Sequence, residues 1–526
     1  TATQYVGGKA SAFAVTAKLN VGPEFEVSNG YLRGYHGLGG KVTIPKSLNV
    51  YYIYEEAFKN NNNITELEIS EPCMEIQQSA FDGMTALKRV ILPQSVTFVA
   101  SDAFRNCTAL ERVDLHSRAI TFNNRCFAGC TSLKYVQNIV VTDPAVDVKK
   151  TNLLDLTESQ FTRVSPKIGT LGSQAFRGCT ALETADITEL RVSGESVFEG
   201  CTALRKVILS SHTVFGDQMF TGCGNLTTLE FTDCDTMYTG GAKIPFDGCN
   251  VKELRFQNGA DGVYYRHTDG CYYTDETLQT LVFAPQDLKS YTAPASLRTI
   301  CAGAFAGNAN LRSVNLGNVT TIGDYAFANA TGLNYKDYAL VIPASVTSMG
   351  KGVFYGCYRL KNVRVDAQIT ELPADTFAYA ALNTITLSQT IQRLGDRAFF
   401  YTDFGDDGKA LDLRATNVTA LGDYVFAYTY CLKEIHLPAL TEVGYGTFFY
   451  APDTSFAGAP EKYPLAKVTF APGTTAIGTA TFFSYGGFPS LTVISLPDSV
   501  KNSVTKIADA TFAGCSAVTT LNLGKL

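Results

Sequence analysis

The stretch AFDGMTALKRVILPQSVTFVASDAF, from Ala80 to Phe104, decides the fold. It opens and closes on the same Ala-Phe pair, with Phe81 and Phe104 standing 23 residues apart. Leu87, Val90 and Leu92 lie six, nine and eleven places after Phe81, and Leu110, Val113 and Leu115 repeat that spacing after Phe104. Val90 and Leu92 alternate with Ile91, the period-two pattern of a short strand with one buried face. Pro93 then ends ladder pairing. The β-branched residues of SVTFVASDAF give a second extended stretch before the next turn.

Outward from this copy the phrase recurs along the chain, as in GSQAFRGCTALETADI from Gly172 and GESVFEGCTALRKVIL from Gly194. Seventeen Phe anchors run from Phe58 to Phe512, among them Phe81, Phe104, Phe176 and Phe198, mostly 22 or 23 residues apart. A period in the low twenties means one repeat architecture rather than several domains. A single copy cannot bury its own Leu, Val and Phe, but copies piled at the strand spacing line them into one core. The fold expected is a β-rich repeat solenoid with short parallel strands and about 17 rungs or more. At about 4.8 Å per rung it would form an arc of roughly 80 Å.

The pattern AFxGCTxLxxVxLPxSVTxIGxxAF, carried by Ala80 to Phe104, resembles the BspA-type leucine-rich repeats of bacterial surface proteins. FEVSNGYLRGYHGLGGKVTIPKSLNVYYIYEEAF, from Phe25, is similar to the first copy of that family. The resemblance covers nearly everything from about residue 25 onward and implies a curved leucine-rich repeat stack. It also implies an exported or cell-surface bacterial protein of the kind that acts as an adhesin for host matrix proteins, host cells or other bacteria. A shared scaffold brings no shared site, so no catalytic residue is carried over.

The expected layout is an N-terminal extension or cap over residues 1–24 and the solenoid over 25–526. Anchor spacings of 49 and 59 mark an inserted loop near 137–170, with a helical turn begun by Thr157 and Glu158, and a β-hairpin near 257–291.

Composition narrows function. A formal charge of -6, with 17% charged and 45% hydrophobic residues, is that of a folded chain without the basic footprint nucleic acid needs. No apolar run is long enough for a membrane helix. The five His residues, His36, His116, His212, His267 and His436, fall in no nucleophile elbow, metal pair or phosphate loop, and Asp406 and Asp407 occupy a solvated loop. No enzyme activity, metal or cofactor is expected.

Eight of the fourteen Cys stand three places after an anchor, including Cys107, Cys179, Cys201 and Cys223. Met84, Ala330, Ala380 and Ala451 fill the same slot elsewhere, so it is a packing position for small side chains. Disulfides within this column are not expected. A Cys271 to Cys301 bridge pinning the hairpin is left open.

Binding has two candidate surfaces. Two places after the anchor most copies carry Gly or Asn, which points to left-handed backbone, yet four consecutive copies carry Tyr379, Tyr401, Tyr428 and Tyr450. In-register phenols, with Phe400, Phe449, Tyr430 and Tyr485 nearby, would form an edge for a protein or glycan ligand. The other reading is that these copies use a different turn and their rings cover one another. The second surface is the outward face of the main strands: Glu68, Ile91, Asp114, Asp186, Ile208, Glu230, Arg255, Asn315, Arg364 and His436. Its mixed charge suits a protein partner better than a polyanion. The expected role is a secreted or surface-displayed binding module for an extracellular protein or glycan, with a spacer of the cell envelope as the alternative.

Overall fold

The computed structural model describes residues 5–6, 9–10, 24–116, 119–146, 153–156, 159–164, 166–210, 213–232, 246–256, 265–333, 339–404, 410–429, 431–450, 465–484, 490–495 and 508–521. Two compact units follow one another along the chain, Thr1–Ile168 and Gly169–Leu526. The architecture is a parallel-strand β-solenoid of about 17 turns with almost no helix.

In the first unit the alternating stretches form Gly40–Ile44, Ile64–Ile69, Arg89–Leu92, Arg112–Leu115 and Tyr135–Val141, side by side and parallel. Register follows the repeat, with Leu67 opposite Val90 and Val90 opposite Val113. A second parallel ladder, Tyr52–Ile53, Glu75–Ile76, Phe98–Val99 and Ile120–Phe122, starts from the antiparallel pair Phe25–Ser28 and Tyr31–Tyr35. Of residues 1–24, only Glu24 and the paired Tyr5–Val6 and Lys9–Ala10 are described; the rest of the expected cap lies outside the described residues.

Each coil turns through its anchor Phe, and in most coils the backbone is left-handed two residues on either side of the anchor. Asp102 and Asn106, at φ 59° and 58°, flank Phe104, and Arg125 and Gly129, at 54° and 77°, flank Phe127. This alternation aims three N–H groups of one turn at carbonyls of the next. Asp102 donates to Asn124 O at 2.9 Å, Phe104 to Cys126 O at 2.8 Å and Asn106 to Ala128 O at 2.8 Å. The turn is therefore a hydrogen-bonded ladder in its own right, and its buried backbone is satisfied without a strand. At Gly129 a Cβ would stand 2.6 Å from Asn106 Oδ1, so a side chain there would displace the neighbouring coil.

The anchors stack inside. Ring centroids of Phe58, Phe81, Phe104 and Phe127 are 5.1, 4.8 and 5.3 Å apart in succession. In the second unit Phe176, Phe198 and Phe220 follow at 5.4 and 5.3 Å. Each buried ring contributes about 2 to 3 kcal/mol of transfer free energy, which the neighbouring coil makes available by excluding water.

The second unit carries main strands Thr184–Asp186, Lys206–Leu209, Thr228–Phe231 and Glu253–Phe256, all parallel. Further on come Ser290–Thr292 with Ser313–Asn315, then Leu340–Ile342, Asn362–Val365 and Thr384–Leu387. Ala410–Asp412, Glu434–Leu437, Lys467–Phe470, Val493–Ser495 and Thr520–Leu521 complete the described set. Within the region expected to hold a hairpin, Tyr265–Arg266, Tyr272–Tyr273 and Thr280–Phe283 pair antiparallel, and the last continues parallel to Thr299–Ile300. Residues 257–264 lie outside the described residues.

One expectation is overturned. Glu68, Ile91, Asp114 and Glu230 were placed on an outward strand face, but all four are buried. In the first unit the segment after Tyr135–Val141 folds back: Phe161–Val164 pairs antiparallel with it, and a short 3-10 turn, Leu153–Asp155, lies against Ile64–Ile69. There Leu154 N–H donates to Glu68 Oε2 at 3.2 Å, and Arg89 Nε donates to the fully buried Asp114 at 2.7 Å. In the second unit Lys206 Nζ sits 3.2 Å from Glu230. Thr157 and Glu158 lie outside the described residues.

Candidate binding surface

The turn ladder that carries the anchors also projects side chains outward, and in the second unit their chemistry changes along the chain. Around Phe176, Phe198 and Phe220 the turn residues are polar, as in the ion pair of Arg177 with Glu199 at 3.2 Å. From Tyr325 to Phe483 they become aromatic. Tyr379, Tyr401 and Tyr428 have φ of 58°, 56° and 56°, so they occupy the same left-handed position that Gly83 holds at 74°. The alternative of a different turn is thereby corrected for these three. Tyr450 does differ: it bridges to Ser484 and is only 5% exposed.

The rings form one connected seam. Tyr355 lies 5.2 Å from Tyr379, and Tyr379 stacks on Tyr401 at 5.1 Å with 28° between planes. Tyr401 meets Tyr428 at 5.7 Å, and Tyr428 meets Tyr450 edge-on at 6.2 Å. Phe400 contacts Tyr379 at 5.7 Å and Tyr428 at 5.4 Å. Phe449 lies 5.6 Å from Tyr428 and 5.8 Å from Tyr424, and Tyr424 lies 5.3 Å from Tyr445. Exposure grades across the seam: Tyr379 is 37% and Tyr445 41% exposed, whereas Tyr401 and Tyr428 are half-buried. Tyr430 and Tyr485 lie outside the described residues.

The place just after the anchor explains how so many rings fit. Along successive coils it holds Ala328, Tyr355, Ala378, Phe400, Ala427 and Phe449. Small and large residues alternate from Ala328 to Phe449, which gives Tyr355 and Phe400 small neighbours in the adjacent coils; the pattern ends where Phe449 stacks on Phe483 of the next coil at 5.5 Å.

Charges border the seam. Arg397 makes two hydrogen bonds to the Asp375 carboxylate, at 2.8 and 2.9 Å. Lys351 Nζ lies 5.8 Å from the centre of the Tyr325 ring. Asp396 and Asp423 are exposed, and each carboxylate accepts a backbone N–H of the next coil: Asp423 N–H at 2.9 Å and Tyr445 N–H at 2.7 Å. Burial pushes the Tyr355 phenol up to about 12 and raises Tyr379 as well, so both remain hydrogen-bond donors at neutral pH.

The strand-face residues fall on another ladder of the same coils. Arg255 is exposed and pairs with Glu253 at 3.0 Å, and Arg364 is exposed and pairs with Asp366 at 2.9 Å. His436 is half-buried, 3.8 Å from Glu434. These three and the four tyrosines are thus not one cluster. A hollow of about 210 Å³ between Ser313–Asn315 and Leu340–Ile342 is lined by Val314, Asn315, Val341 and Pro343, among others, and by no titratable group.

The cysteine slot has a function the spacing did not reveal. Cys107 Sγ donates to Phe81 O, Cys201 to Phe176 O and Cys223 to Phe198 O, each at 3.1 Å. Cys179 is likewise buried. Thr402 makes the equivalent bond to Phe377 O at 2.8 Å. The slot therefore favours a small side chain with a donor, and Thr402 was the sequence signal for it. All thirteen described cysteines are free thiols, Cys271 and Cys301 included, so the bridge left open between them is not formed; Cys234 lies outside the described residues. Among the described residues no three His, Cys, Asp or Glu side chains could together hold a metal ion, and no helix is long and apolar enough to cross a membrane.

The family model of the BspA type leucine rich repeat region matches residues 41–141, 152–273, 276–405, 339–455 and 419–525. Among solved structures the chain is similar to a leucine rich cell surface protein from Faecalibacterium prausnitzii A2-165, at 18% identity and a TM-score of 0.39, over 90% of this chain and 95% of that one. It is also similar to a leucine-rich repeat protein from Bacteroides ovatus ATCC 8483, at 17% identity and a TM-score of 0.33, over 85% and 97%. The pneumococcal vaccine antigen PcpA matches at 13% identity and a TM-score of 0.27, over 92% and 94%. No curated protein matches.

Proposed function

The chain belongs to the BspA-type leucine-rich repeat family, and from that premise we propose that it is a non-enzymatic binding protein of a bacterial cell surface or its surroundings, an adhesin for an extracellular protein or glycan. The observation that supports binding most directly is the aromatic seam. Tyr379, Tyr401 and Tyr428 sit in left-handed backbone, which disfavours a side chain by about 1 to 2 kcal/mol at each position. Strained, partly exposed aromatic residues gathered on one edge are the kind of feature recognition surfaces use. Glycine, present at the same place in other coils, would remove the strain and the surface together.

The test is an array of immobilised extracellular matrix proteins, bacterial surface proteins and glycans, probed with the full chain. Saturable binding to a subset is expected. A chain that binds nothing saturably is a spacer, and the adhesin reading fails.

A further inference from the structure

Resting on that binding role, we infer that the aromatic seam between Tyr355 and Tyr445 receives a polypeptide segment carrying arginine or lysine, and not a glycan.

Sugars dock on aromatic residues by laying a ring face against an open aromatic face. Here Tyr401, in the middle of the seam, has rings on both sides, and Phe400 is met edge-on by two. Tyr401 lies between Tyr379 at 5.1 Å and Tyr428 at 5.7 Å, and Phe400 lies between Tyr379 at 5.7 Å and Tyr428 at 5.4 Å. Burial keeps the phenols of Tyr355 and Tyr379 protonated at neutral pH. Protonated phenols donate hydrogen bonds, and the regularly spaced acceptors that meet a row of donors are the carbonyls of a polypeptide.

Charge supplies the second half of the argument. The cations of the seam are already engaged, since Arg397 is clamped to Asp375 at 2.8 and 2.9 Å and Lys351 lies over the Tyr325 ring at 5.8 Å. Asp396 and Asp423 stand exposed; Asp396 feels the Arg393 and Arg397 guanidiniums, but among the described residues neither carboxylate has a cation within 4 Å. Their bonds to Asp423 N–H and Tyr445 N–H fix the carboxylates in place without neutralising them. The rim that a partner meets is therefore held in place and negative at Asp423, and less so at Asp396, which shares the field of two arginines. Arginine fits it best, because its fork matches a carboxylate.

The test uses the full chain with short synthetic peptides of alternating Pro and Arg, Pro and Glu, or Pro and Ser, and a set of immobilised oligosaccharides. The arginine peptide is expected to bind saturably and the glutamate peptide not to bind. Raising salt from about 50 to about 500 mM should weaken binding severalfold. An Asp396→Asn/Asp423→Asn double variant keeps the oxygens that accept the backbone N–H groups and removes only charge. It should weaken the arginine peptide about five- to tenfold and flatten the salt dependence, with unchanged circular dichroism. A Tyr379→Ser/Tyr445→Ser variant, altering the two most exposed rings, should weaken it comparably.

Absence of saturable arginine-peptide binding, equal binding by the Asn variant, or oligosaccharide binding that disappears in the Ser variant each overturns the inference. Should wild type and both variants bind some other immobilised protein equally well, the binding role stands and only the assignment of this edge falls. Should no probe bind at all, both fall.

Discussion

Replacing Tyr401 by Gly separates what the seam contributes to the fold from what it costs. The substitution relieves a left-handed backbone at φ 56°, a gain of about 1 to 2 kcal/mol. Against that, Gly adds about 0.5 to 1 kcal/mol of unfolded-state entropy. The ring also gives up contacts with Tyr379, Phe400 and Tyr428 at 5.1, 6.1 and 5.7 Å. Aromatic pairs contribute about 0.5 to 1.5 kcal/mol each beyond area, and a half-buried Tyr loses about 100 Å² of burial, about 2.5 kcal/mol. The losses exceed the relief, so Tyr401→Gly should destabilise the second unit by about 3 to 7 kcal/mol. Gly200→Ala isolates the backbone cost: Gly200 has φ 71° and nothing within 4 Å of an added Cβ, so only the left-handed strain should register, about 1 kcal/mol. Urea unfolding followed by circular dichroism, with hydrogen exchange at the Tyr401 amide that bonds Ala427 O, measures both. A Tyr401→Gly protein as stable as wild type, or more so, would refute the claim that stacking stabilises the rings in this conformation.

Further outcomes follow from the interior. Cys201→Ala should cost about 1 kcal/mol by removing the donor to Phe176 O, whereas Cys201→Thr should stay within about 0.5 kcal/mol, because Thr402 already makes that bond in its own coil; equal losses in chemical denaturation would contradict the donor role. Burial pushes the Cys73 and Cys357 thiols up to about 12, so iodoacetamide at mildly alkaline pH should leave both unmodified in the folded chain and label them after denaturation, as peptide mass spectrometry would show. Burial lowers the His116 pKa, partly opposed by the nearby Glu71 carboxylate. The unfolded state thus takes up the proton first, and stability of the first unit should fall as pH drops through the ordinary imidazole range; His116→Asn should remove that part of the pH slope in thermal unfolding.

Much of the coil was legible in the sequence because it is local. The spacing of Phe81, Leu87, Val90 and Leu92 gives anchor, core and strand within one period, and each contact in the stack joins equivalent places of adjacent copies. What was not legible lies outside that period. Glu68 is covered by Leu154, 86 residues further on, a contact no repeat count contains. The tyrosines stand at one fixed place in the repeat, but a single sequence does not tell whether Tyr avoids a left-handed turn or tolerates it. Ring-on-ring packing across coils decides that. The donor role of the cysteine slot was hidden for a similar reason: Ala and Met share the slot with Cys and Thr, so size was evident and the hydrogen bond was not.

The alternation of Ala328, Tyr355, Ala378, Phe400, Ala427 and Phe449 gives the outer edge a unit cell of two coils over a scaffold whose own unit is one. The alternation ends at Phe449, which stacks on Phe483 of the following coil at 5.5 Å, so this place accepts ring on ring as the anchors beneath it do. Deleting or duplicating a single coil here should therefore change which rings meet on the outside while the hydrophobic spine keeps its own period.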